Sequence, residues 1–506
     1  MGEPGELLSN EAEGGWVIQK FGGTSVGKFA AQIAEQIVRI NIHTNKVAIV
    51  CSARSADTKT EGTTNRLLRA AEEALKPQSK LYISIVNEIR EDHIRAAKQE
   101  IRSEEIITTL ESDIEAECGR LESFLSAAQI IDEISPKTKD IIVGAGEKLS
   151  CLFMTAMLMD RGVDAEYVNL ENIIHGSYSA KHGLNQEFYD YLAKQLAEMI
   201  QGCEGRVPVV TGYFGTVPGS ILSSIGRGYT DLCAALLAAG LDADELQVWK
   251  EVDGIFTADP RKVPTARLIP IITPEEAAEL TYYGSEVIHP FTMEQAIKAR
   301  IPIRIKNVEN PTGEGTVIFP DSIHRKGEET PTYPPRHIRL RSQDPLLRER
   351  LKRPTAVTTK NGIVVLNIHS NKKSLSHGFL ANIFSVLDRW RLTVDLISTS
   401  EVHVSMALHS EIREQNLKDA IEELKKYGTV DVIRDLTILS LVGKQMKQMI
   451  GIAGRMFTVL AESKVNIEMI SQGASEINIS CVIKEIDAIK AMNILHTKLF
   501  IYQDSP

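Results

Sequence analysis

The sequence contains no apolar run that approaches the roughly 20 residues of a membrane-spanning helix, so no membrane partner is predicted. It also lacks an excess of positive charge. Lys and Arg number 57 against 67 Asp and Glu, and the formal net charge is −10. Because no basic face with interleaved aromatic residues is visible, no nucleic-acid partner is predicted either.

Targeting signals and cysteine pairs are missing as well. Residues 1–15 are acidic and glycine-rich, and they show neither the basic, serine-rich character of a transit peptide nor the apolar core of a signal peptide. The six cysteines are scattered and include no C-x-x-C pair. We therefore expect a cytoplasmic protein with reduced thiols rather than disulfide bonds or a zinc site.

The length of 506 residues predicts two to four domains. From Val17 to about Pro320, short apolar runs alternate with helical patterns, which is typical of an α/β domain with a mainly parallel central sheet. The predicted strands are Val47–Cys51, Ile141–Val143, Val207–Val210, Glu245–Trp249 and Ile303–Ile305. The predicted helices are Asn65–Ala74, Lys148–Met159, Asp231–Ala239 and Pro274–Leu280.

Two segments depart from this alternation. Residues 70–135 are rich in Glu, Lys, Arg, Ala and Ile at helical spacing, and they predict an insertion of two or three helices that forms a solvated cover on the site. Residues 321–354 are rich in proline and basic residues. Little there could form a core, so we expect an extended or partly disordered linker.

The last third of the chain contains an internal repeat in which six residues return 73 positions later. The matched pairs are Gly378/Gly451, Phe384/Phe457, Leu387/Leu460, Val394/Ile467, Asp395/Glu468 and Ser398/Ser471. Each copy predicts a strand, a glycine-rich loop, a helix and a strand, which implies two small α/β modules. We name them the first module (355–435) and the second module (436–503, with a possible strand from about 355–360). Such a pair can serve dimerisation or hold a small ligand between its members.

The most informative motif places a lysine at the end of an apolar run, just before two glycines. A strand is predicted to deliver Lys20 to a tight turn, where Gly22 and Gly23 leave the backbone N–H groups open to close approach. A helical segment, Phe29–Ile40, follows, so the turn lies at a helix N-terminus, where anions bind. We predict a polyphosphate ligand. The alternative is a structural turn with a surface lysine, and the order of a P-loop is absent.

Two further motifs suit an amino acid substrate. Gly144–Ser150 is predicted to open a helix after an apolar strand, so Glu147 either caps that helix or holds a substrate ammonium group. Arg227 lies between glycines before a helix that Thr230 or Asp231 can cap, and it could form a bidentate pair with a carboxylate.

Other polar residues follow predicted strands or begin helices. Lys250 and Arg261, at a strand end and in the turn-rich loop after it, could reach nucleotide phosphates or belong to a charged surface loop. Ser52 ends an apolar strand and Thr64 begins a helix, where hydroxyl groups can bind a carboxylate or a phosphate.

Together these motifs resemble those of the aspartate kinases, members of the amino-acid kinase family, and their residues are most like those of the fungal enzymes. The motifs that carry the resemblance are Lys20–Ser25, Gly146–Ser150, Gly226–Asp231, Phe256–Arg261 and Val287–Pro290, in this order. The repeat resembles tandem ACT domains through Val394–Glu401 in the first module. The resemblance covers nearly the whole chain beyond Gly15.

The resemblance implies a three-layer αβα amino-acid kinase fold over residues 16–320, with a mainly parallel sheet, followed by two ferredoxin-like α+β ACT domains. It implies that MgATP phosphorylates the β-carboxylate of L-aspartate to 4-phospho-L-aspartate, the first step of threonine, methionine and isoleucine (in some organisms lysine) biosynthesis. Since a carboxylate is already ionised, no general base is required, and catalysis can rest on positioning and charge compensation. Magnesium would be held by ATP oxygens and water, and no protein metal ligand is predicted.

The resemblance also assigns roles to residues. Lys20 stabilises the transferring γ-phosphoryl group, and Asp231 orients Lys20. The implied aspartate ligands are Thr64, Glu147, Arg227, Gly228 and Thr230. The implied ATP-side residues are Lys20, Gly22, Gly23, Ser25, Ser52, Lys250, Glu251, Phe256, Asp259 and Arg261. The implied effector contacts are Lys373, Ser376, Gly378, Phe379, Leu380 and Asp395, with Asp395 on the ammonium group and the N–H groups near Gly378 on the carboxylate.

Three positions depart from the bacterial relatives. Glu286 stands where they often carry a lysine that touches the nucleotide, and Lys250 stands where they have threonine. We therefore hypothesise that Lys250 supplies the missing charge. Lys373 replaces a residue that is often apolar in lysine-sensitive enzymes, so threonine is favoured over lysine as the allosteric inhibitor. Paired ACT modules imply a homo-oligomer, with a dimer as the minimum.

Three alternatives remain open. Another amino-acid kinase, such as a glutamate kinase, would carry a different C-terminal module. A non-catalytic amino-acid sensor built on ACT repeats would not need both Lys20 and Asp231. An ACT-bearing dehydrogenase would need a G-x-G-x-x-G motif, which does not follow the opening strands.

Overall fold

The computed structural model describes residues 7–55, 62–175, 178–179, 184–220, 225, 228–282, 288, 290–319, 353–370, 378–400, 402–409, 413–473 and 477–501. All but the last two residues of the predicted linker lie outside this set. The chain forms two compact units, Met1–Ile255 with Ile288–Pro320 and Phe256–Val287 with Asp321–Pro506. The segment Phe256–Val287, which the sequence had placed in the first domain, belongs to the second unit.

A mainly parallel sheet organises the first unit. Its strands are β1 (Gly14–Phe21), β2 (Asn45–Cys51), β3 (Ala165–Val168), β4 (Val207–Thr211), β5 (Glu245–Lys250), β6 (Ile303–Asn307) and β7 (Thr316–Ile318). Their order is β3-β4-β2-β1-β5-β6-β7, and only β7 is antiparallel to its neighbour. Because the strands are parallel, β1, β2, β4 and β5 end at the same edge of the sheet, where ligands bind in such folds. Four of the five predicted strands are confirmed within β2, β4, β5 and β6.

Helices surround this sheet. They are α1 (Gly23–Lys28), α2 (Ala30–Gln32), a π-helix (Ile33–Val38), α3 (Arg39–Asn41), α4 (Thr63–Ala74), α5 (Leu81–Glu100), α6 (Glu104–Ile131), α7 (Pro136–Asp160), α8 (Gln186–Gln201), α9 (Tyr229–Gly240) and α10 (Pro290–Lys298). The predicted helical insertion is confirmed, since α5 and α6 fill most of residues 70–135. Their apolar faces, for example Ile89 and Leu121, join the same core as α7.

The prediction of a strand at Ile141–Val143 is wrong. These residues lie inside α7, which begins at Pro136 after the N-cap Ser135. A run of three apolar residues cannot distinguish a strand from a buried helix, and α7 is buried on most of its surface. Among the described residues, α7 is also the only helix long and apolar enough to cross a membrane, but its most apolar window is largely buried, as in a core helix.

Gly144 and Gly146 consequently lie inside a helix and not at the helix start that the sequence predicted. A Cβ atom at Gly144 would lie 2.5 Å from the ring of Tyr213, and one at Gly146 would lie 3.0 Å from the Cβ of Ala53. These glycines therefore allow α7 to pack closely against neighbouring segments, and Glu147 is held in mid-helix instead of capping a helix start.

The second unit contains a six-stranded antiparallel sheet made by both modules. Its strands are β8 (Ala356–Ser370), β9 (Val394–Thr399), β10 (His403–His409), β11 (Gly428–Val442), β12 (Met469–Ser471) and β13 (Asn478–Lys484), in the order β9-β10-β8-β11-β13-β12. Its helices are α11 (Phe379–Arg389), α12 (Glu414–Leu424), α13 (Ile452–Glu462) and α14 (Ala488–His496), with short turns of 3-10 helix at Lys444–Gln448 and Glu485–Asp487 and of π-helix at Thr497–Ile501.

The two long strands, β8 and β11, are shared between the modules. Residues 363–369 of β8 pair with β10, whereas residues 356–360 pair with residues 438–442 of β11. Each module thus has four strands and two helices in a ferredoxin-like arrangement, and the predicted fold class is confirmed. The segment 256–287, with a short strand (Ile271–Ile272) and the helix Pro274–Tyr282, contributes Ala258 and Val263 to the core of the second module.

Candidate active site

The first turn of α9 and the end of β1 form an ion pair. Lys20 Nζ lies 2.6 Å from Asp231 Oδ1, and the two side chains are 11% and 13% exposed. Gly228 precedes α9 with a φ of 103°, a left-handed conformation that favours glycine and lets the helix begin beside β1. The pairing predicted between Lys20 and Asp231 is therefore present in the fold.

The glycine turn after Lys20 is the start of a helix. Gly22 is the N-cap of α1, so the helix begins at Gly23 and not at Phe29 as predicted. A Cβ atom at Gly23 would collide with the carbonyl oxygen of Ala53, so only glycine lets this turn approach the end of β2. The N–H of Ser52 donates to the carbonyl of Phe21 at 3.1 Å, which places Ser52 beside the turn.

The end of β5 joins the same region. Ser25 Oγ donates to Glu251 Oε1 at 2.8 Å, so α1 is tied to the residue that follows Lys250. Three of the predicted ATP-side residues, Ser25, Lys250 and Glu251, are thereby brought together. Glu286, whose missing positive charge Lys250 was hypothesised to replace, lies outside the described residues, and that hypothesis stays a prediction.

Glu147 is the buried carboxylate of the site. Its Oε1 accepts the hydroxyl of Thr230 at 2.7 Å, and the residue is 1% exposed. Burial raises the pKa of Glu147 to about 7, although hydrogen-bonding groups on Thr230 and Tyr229 act in the opposite direction. Its Oε2 has no hydrogen-bond partner among the described residues. An orphaned buried carboxylate oxygen of this kind is suited to a ligand ammonium group.

The space beside Glu147 depends on two glycines. A Cβ atom at Gly212, just after β4, would lie 2.9 Å from Glu147 Oε2. A Cβ atom at Gly146 would lie 3.1 Å from the methyl group of Thr63, so the first turn of α4, which carries Thr64, packs against α7 next to Glu147. Of the predicted aspartate ligands, Arg227 alone lies outside the described residues.

A buried lysine that the sequence reasoning missed holds α7 in place. Lys148, also 1% exposed, has its Nζ 2.6 Å from Glu171 and 3.2 Å from Glu117 of α6. Arg120 forms a second ion pair with Glu171 at 2.6 Å. The only signal in the sequence was a lysine within an otherwise apolar helical run. The helical insertion is therefore bound to the helix that carries Glu147.

Replacement of this lysine is expected to destabilise the protein. Lys148→Met leaves Glu117 with only its longer pairing to Arg120, at 3.9 Å, and weakens the pairing of Glu171, so we expect a loss of about 3 kcal/mol in the free energy of unfolding. Urea denaturation measures it. Lys194→Met is the matched control, because Lys194 and Glu198 form an exposed pair whose loss should cost under about 0.5 kcal/mol. An unchanged urea midpoint in Lys148→Met would show that the buried pairs contribute nothing.

The remaining predicted ATP-side residues lie in the second unit. Arg261 donates from Nε and Nη2 to the carboxylate of Asp259 at 3.0 and 3.1 Å, and its side chain is 88% exposed. Phe256 pairs with Leu268 in an isolated β-bridge. These residues therefore belong to one short loop, residues 256–268, which we name the Phe256 loop.

The predicted effector contacts are only partly described. Lys373 and Ser376 lie outside the described residues. Gly378 is the N-cap of α11 with a φ of 83°, and Phe379 and Leu380 form the first turn of that helix. Asp395 lies in β9, with its carboxylate 2.8 Å from Lys360 Nζ.

A single chain does not bring Gly378 and Asp395 together. They flank opposite ends of α11, whose 11 residues span about 16 Å, whereas the ammonium and carboxylate groups of an α-amino acid are neighbours on one carbon. The arrangement in which one effector contacts both groups is therefore not formed within one chain. A cavity of about 610 Å³ does lie at the Asp395 end, lined by Lys360, Arg391, Thr393, Asp395, His409, Arg413 and Asn416.

Known proteins share these features. Residues 15–307 match the model of the Amino acid kinase family, and residues 439–499 match the ACT domain model. Among solved structures, E. coli aspartokinase III in complex with aspartate and ADP has a TM-score of 0.70 and 28% identity, over 96% of this chain and 99% of that one. The same enzyme in complex with lysine and aspartate has a TM-score of 0.73 with the same identity and coverage.

Curated relatives match along nearly the whole chain. The aspartokinase of Candida albicans is 58% identical over 496 residues, covering 96% of this chain and 90% of the relative. The aspartokinase of Schizosaccharomyces pombe is 57% identical over 97% of this chain and 94% of the relative, and that of Saccharomyces cerevisiae is 54% identical over 98% and 95%. The chain therefore belongs to the amino acid kinase family and, within it, to the aspartokinases.

Proposed function

We propose that this aspartokinase transfers the γ-phosphoryl group of MgATP to the β-carboxylate of L-aspartate, giving 4-phospho-L-aspartate and ADP. One observation carries the proposal. Thr230 and Asp231, adjacent in the first turn of α9, contact Glu147 and Lys20 respectively. A single helix start thus links a site for an ammonium group to a cation suited to a phosphoryl group.

The substrate contacts follow from the charges. The aspartate ammonium binds Glu147 Oε2, its α-carboxylate binds Arg227, and Thr64 supplies a hydroxyl. The free β-carboxylate oxygen attacks the γ-phosphorus, the bond between that phosphorus and the β,γ-bridging oxygen breaks, and ADP leaves. Lys20 compensates the charge on the transferring group, while Asp231 holds the lysine in place.

The residues present fit ATP with magnesium. Gly22 and Gly23 expose the N–H groups of a helix start beside Lys20, which suits phosphate oxygens. Within the described residues there is no group of three or more His, Cys, Asp and Glu side chains that could hold a metal ion. The magnesium ion of the proposed MgATP would be bound by ATP oxygens and water, and it would neutralise phosphate charge.

The proposal also includes regulation by an amino acid effector that inhibits the enzyme. This effector is an end product of the pathway in which the reaction is the first step, and threonine is favoured over lysine. Lys373 stands where lysine-sensitive enzymes often carry an apolar residue, and this difference favours threonine over lysine as the effector. Because Gly378 and Asp395 lie at opposite ends of α11, an effector that touches both would need Asp395 of another chain. This geometry supports a homo-oligomer formed through the ACT modules.

The cysteines support a cytoplasmic location. All six are buried and none forms a disulfide bond, as expected in a reducing compartment.

An assay with ATP, aspartate and hydroxylamine tests the proposed reaction, since 4-phospho-L-aspartate is trapped as aspartyl hydroxamate. We expect product from aspartate and little from glutamate. Product from glutamate alone would point to a different amino-acid kinase. Binding of an amino acid without any product would favour a sensor that has lost catalysis.

A further inference from the structure

Residues 52–55, which we name the Ser52 segment, run beside the glycine turn at the end of β1. The N–H of Ser52 donates to the carbonyl of Phe21 at 3.1 Å, and the N–H of Ser55 donates to the carbonyl of Gly23 at 2.9 Å. Both ends of the segment are thus bonded to the turn. The turn and the Ser52 segment therefore move as one piece.

The middle of the Ser52 segment is bound to α7 by a buried serine. Ser150 is fully buried, and its hydroxyl oxygen accepts the N–H of Arg54 at 2.7 Å. The same hydroxyl donates its proton to the carbonyl of Gly146, one turn earlier in α7, at 3.0 Å. Since a backbone N–H can only donate and a carbonyl can only accept, the direction of both bonds is fixed. Ser150 lies three positions after Glu147, so it holds the part of α7 that carries this carboxylate.

Arg54 also contacts the start of α4. Its carbonyl accepts the N–H of Thr63 at 3.1 Å and the hydroxyl of Thr63 at 2.7 Å. Its guanidinium lies 5.9 Å from the centroid of the Phe153 ring in α7. Thr63 is 1% exposed and precedes Thr64, one of the predicted aspartate ligands. The main chain of Arg54 therefore joins α7 and α4 to the segment that follows the glycine turn.

The candidate site consequently has two connections between its ends. The first is α9, where Thr230 contacts Glu147 and Asp231 contacts Lys20. The second is the Ser52 segment, which is bonded to α7 through Ser150 and to the glycine turn through its two ends. A single connection leaves the two ends free to pivot about it, whereas a second connection fixes their separation and orientation.

We propose that Ser150 is a positioning residue for phosphoryl transfer, which holds α7 against the Ser52 segment and so fixes the alignment of bound aspartate with the γ-phosphoryl group. The inference rests on the proposed function, which places aspartate at Glu147 and the phosphoryl group at Lys20. The attacking oxygen and the phosphorus must be in line for transfer. A small misplacement therefore slows the reaction while the groups that bind each substrate stay in place.

Replacement of the hydroxyl tests the proposal. Ser150→Ala removes the acceptor of the Arg54 N–H but keeps the bonds from Thr63, so the protein should fold. We expect kcat to fall about tenfold while the KM for ATP and the KM for aspartate stay within about threefold of wild type. Ser150→Thr retains the hydroxyl and should return kcat to within about threefold of wild type. Steady-state kinetics with ATP and aspartate measure these constants.

A serine of the second unit provides the matched control. Ser440 in β11 is also fully buried, and its hydroxyl lies 2.7 Å from that of Ser480. Ser440→Ala removes a buried hydroxyl bond just as Ser150→Ala does, so both variants should have a lower Tm. In Ser440→Ala, however, kcat and both KM values should remain those of the wild type. This control separates the loss of alignment from the loss of stability.

Four results would overturn the inference alone when the wild type is active. They are an unchanged kcat in Ser150→Ala, an equal loss of kcat in Ser440→Ala, a folded Ser150→Thr that is as slow as Ser150→Ala, and a large rise in either KM of Ser150→Ala with kcat unchanged. The last result would mean that Ser150 supports substrate binding. A wild type that forms no 4-phospho-L-aspartate would contradict the proposed function, and the positioning role would fall with it.

Discussion

Lys20→Met is expected to lower kcat about a thousandfold while leaving the KM for ATP within about threefold of the wild-type value. The reason is the position of Lys20, which is paired with Asp231 at 2.6 Å and lies at the helix start where the transferred phosphoryl group is proposed to bind. A cation that acts on charge in the transition state contributes to kcat more than to ground-state binding. Steady-state kinetics with ATP and aspartate measure the two constants.

A second variant distinguishes catalysis from structure. Lys20→Met leaves the nearly buried Asp231 without its cation, so some loss of stability is expected as well. The double variant Lys20→Met/Asp231→Asn removes the unpaired charge and should recover a higher Tm, yet it should remain as inactive as Lys20→Met. If activity returns with stability, Lys20 is structural. If the KM for ATP rises a thousandfold while kcat is unchanged, Lys20 serves ground-state binding and the transition-state role is wrong.

Glu147→Gln is expected to raise the KM for aspartate about 30-fold or more, because a neutral amide replaces the carboxylate that we propose pairs with the substrate ammonium group. Thr230→Ser is the matched control. It keeps the hydroxyl that donates to Glu147 Oε1, so the KM for aspartate should change little. An unchanged KM in Glu147→Gln would remove Glu147 from the aspartate site.

The pH dependence of the same constant gives an independent check. Since burial raises the pKa of Glu147 to about 7, the carboxyl is largely protonated below that pH in the free protein. In the proposed site aspartate binds the ionised form of Glu147, so the KM for aspartate should rise about tenfold per pH unit below about pH 7 and should be flat above it. Glu147→Gln should abolish this slope. A KM that is independent of pH between 6 and 8 would contradict the assignment.

The sign for stability is opposite to that for binding. The pKa of Glu147 in the folded protein lies above its ordinary value of 4.5, so the folded state binds more protons than the unfolded state between about pH 4.5 and pH 7. The contribution of Glu147 to stability therefore falls as the pH rises through this window. The site holds Glu147 at a cost to folding, which a bound ammonium group would offset.

Much of the fold could be predicted because it depends on local patterns. The alternation of apolar runs with helical spacing identified four strands of the first unit, and a constant offset of 73 residues identified the two modules. The glycines after Lys20 likewise predicted a tight turn, since the conformational freedom of glycine is a property of the residue itself. The local sequence pattern did not predict where the helix begins, which is at Gly23 instead of Phe29.

The sequence by itself thus determined the α/β class of the first unit and the repeat, and its resemblance to the aspartate kinases supplied the family fold and the pairing expected between Lys20 and Asp231. Only the tertiary structure decided that Ile141–Val143 are helical, that Lys148 is buried between carboxylates, and that residues 256–287 pack with the second module. The physical reason is that burial and ion pairing depend on partners distant in the chain. His496 meets Thr257 across 239 positions, and no local pattern encodes such a contact.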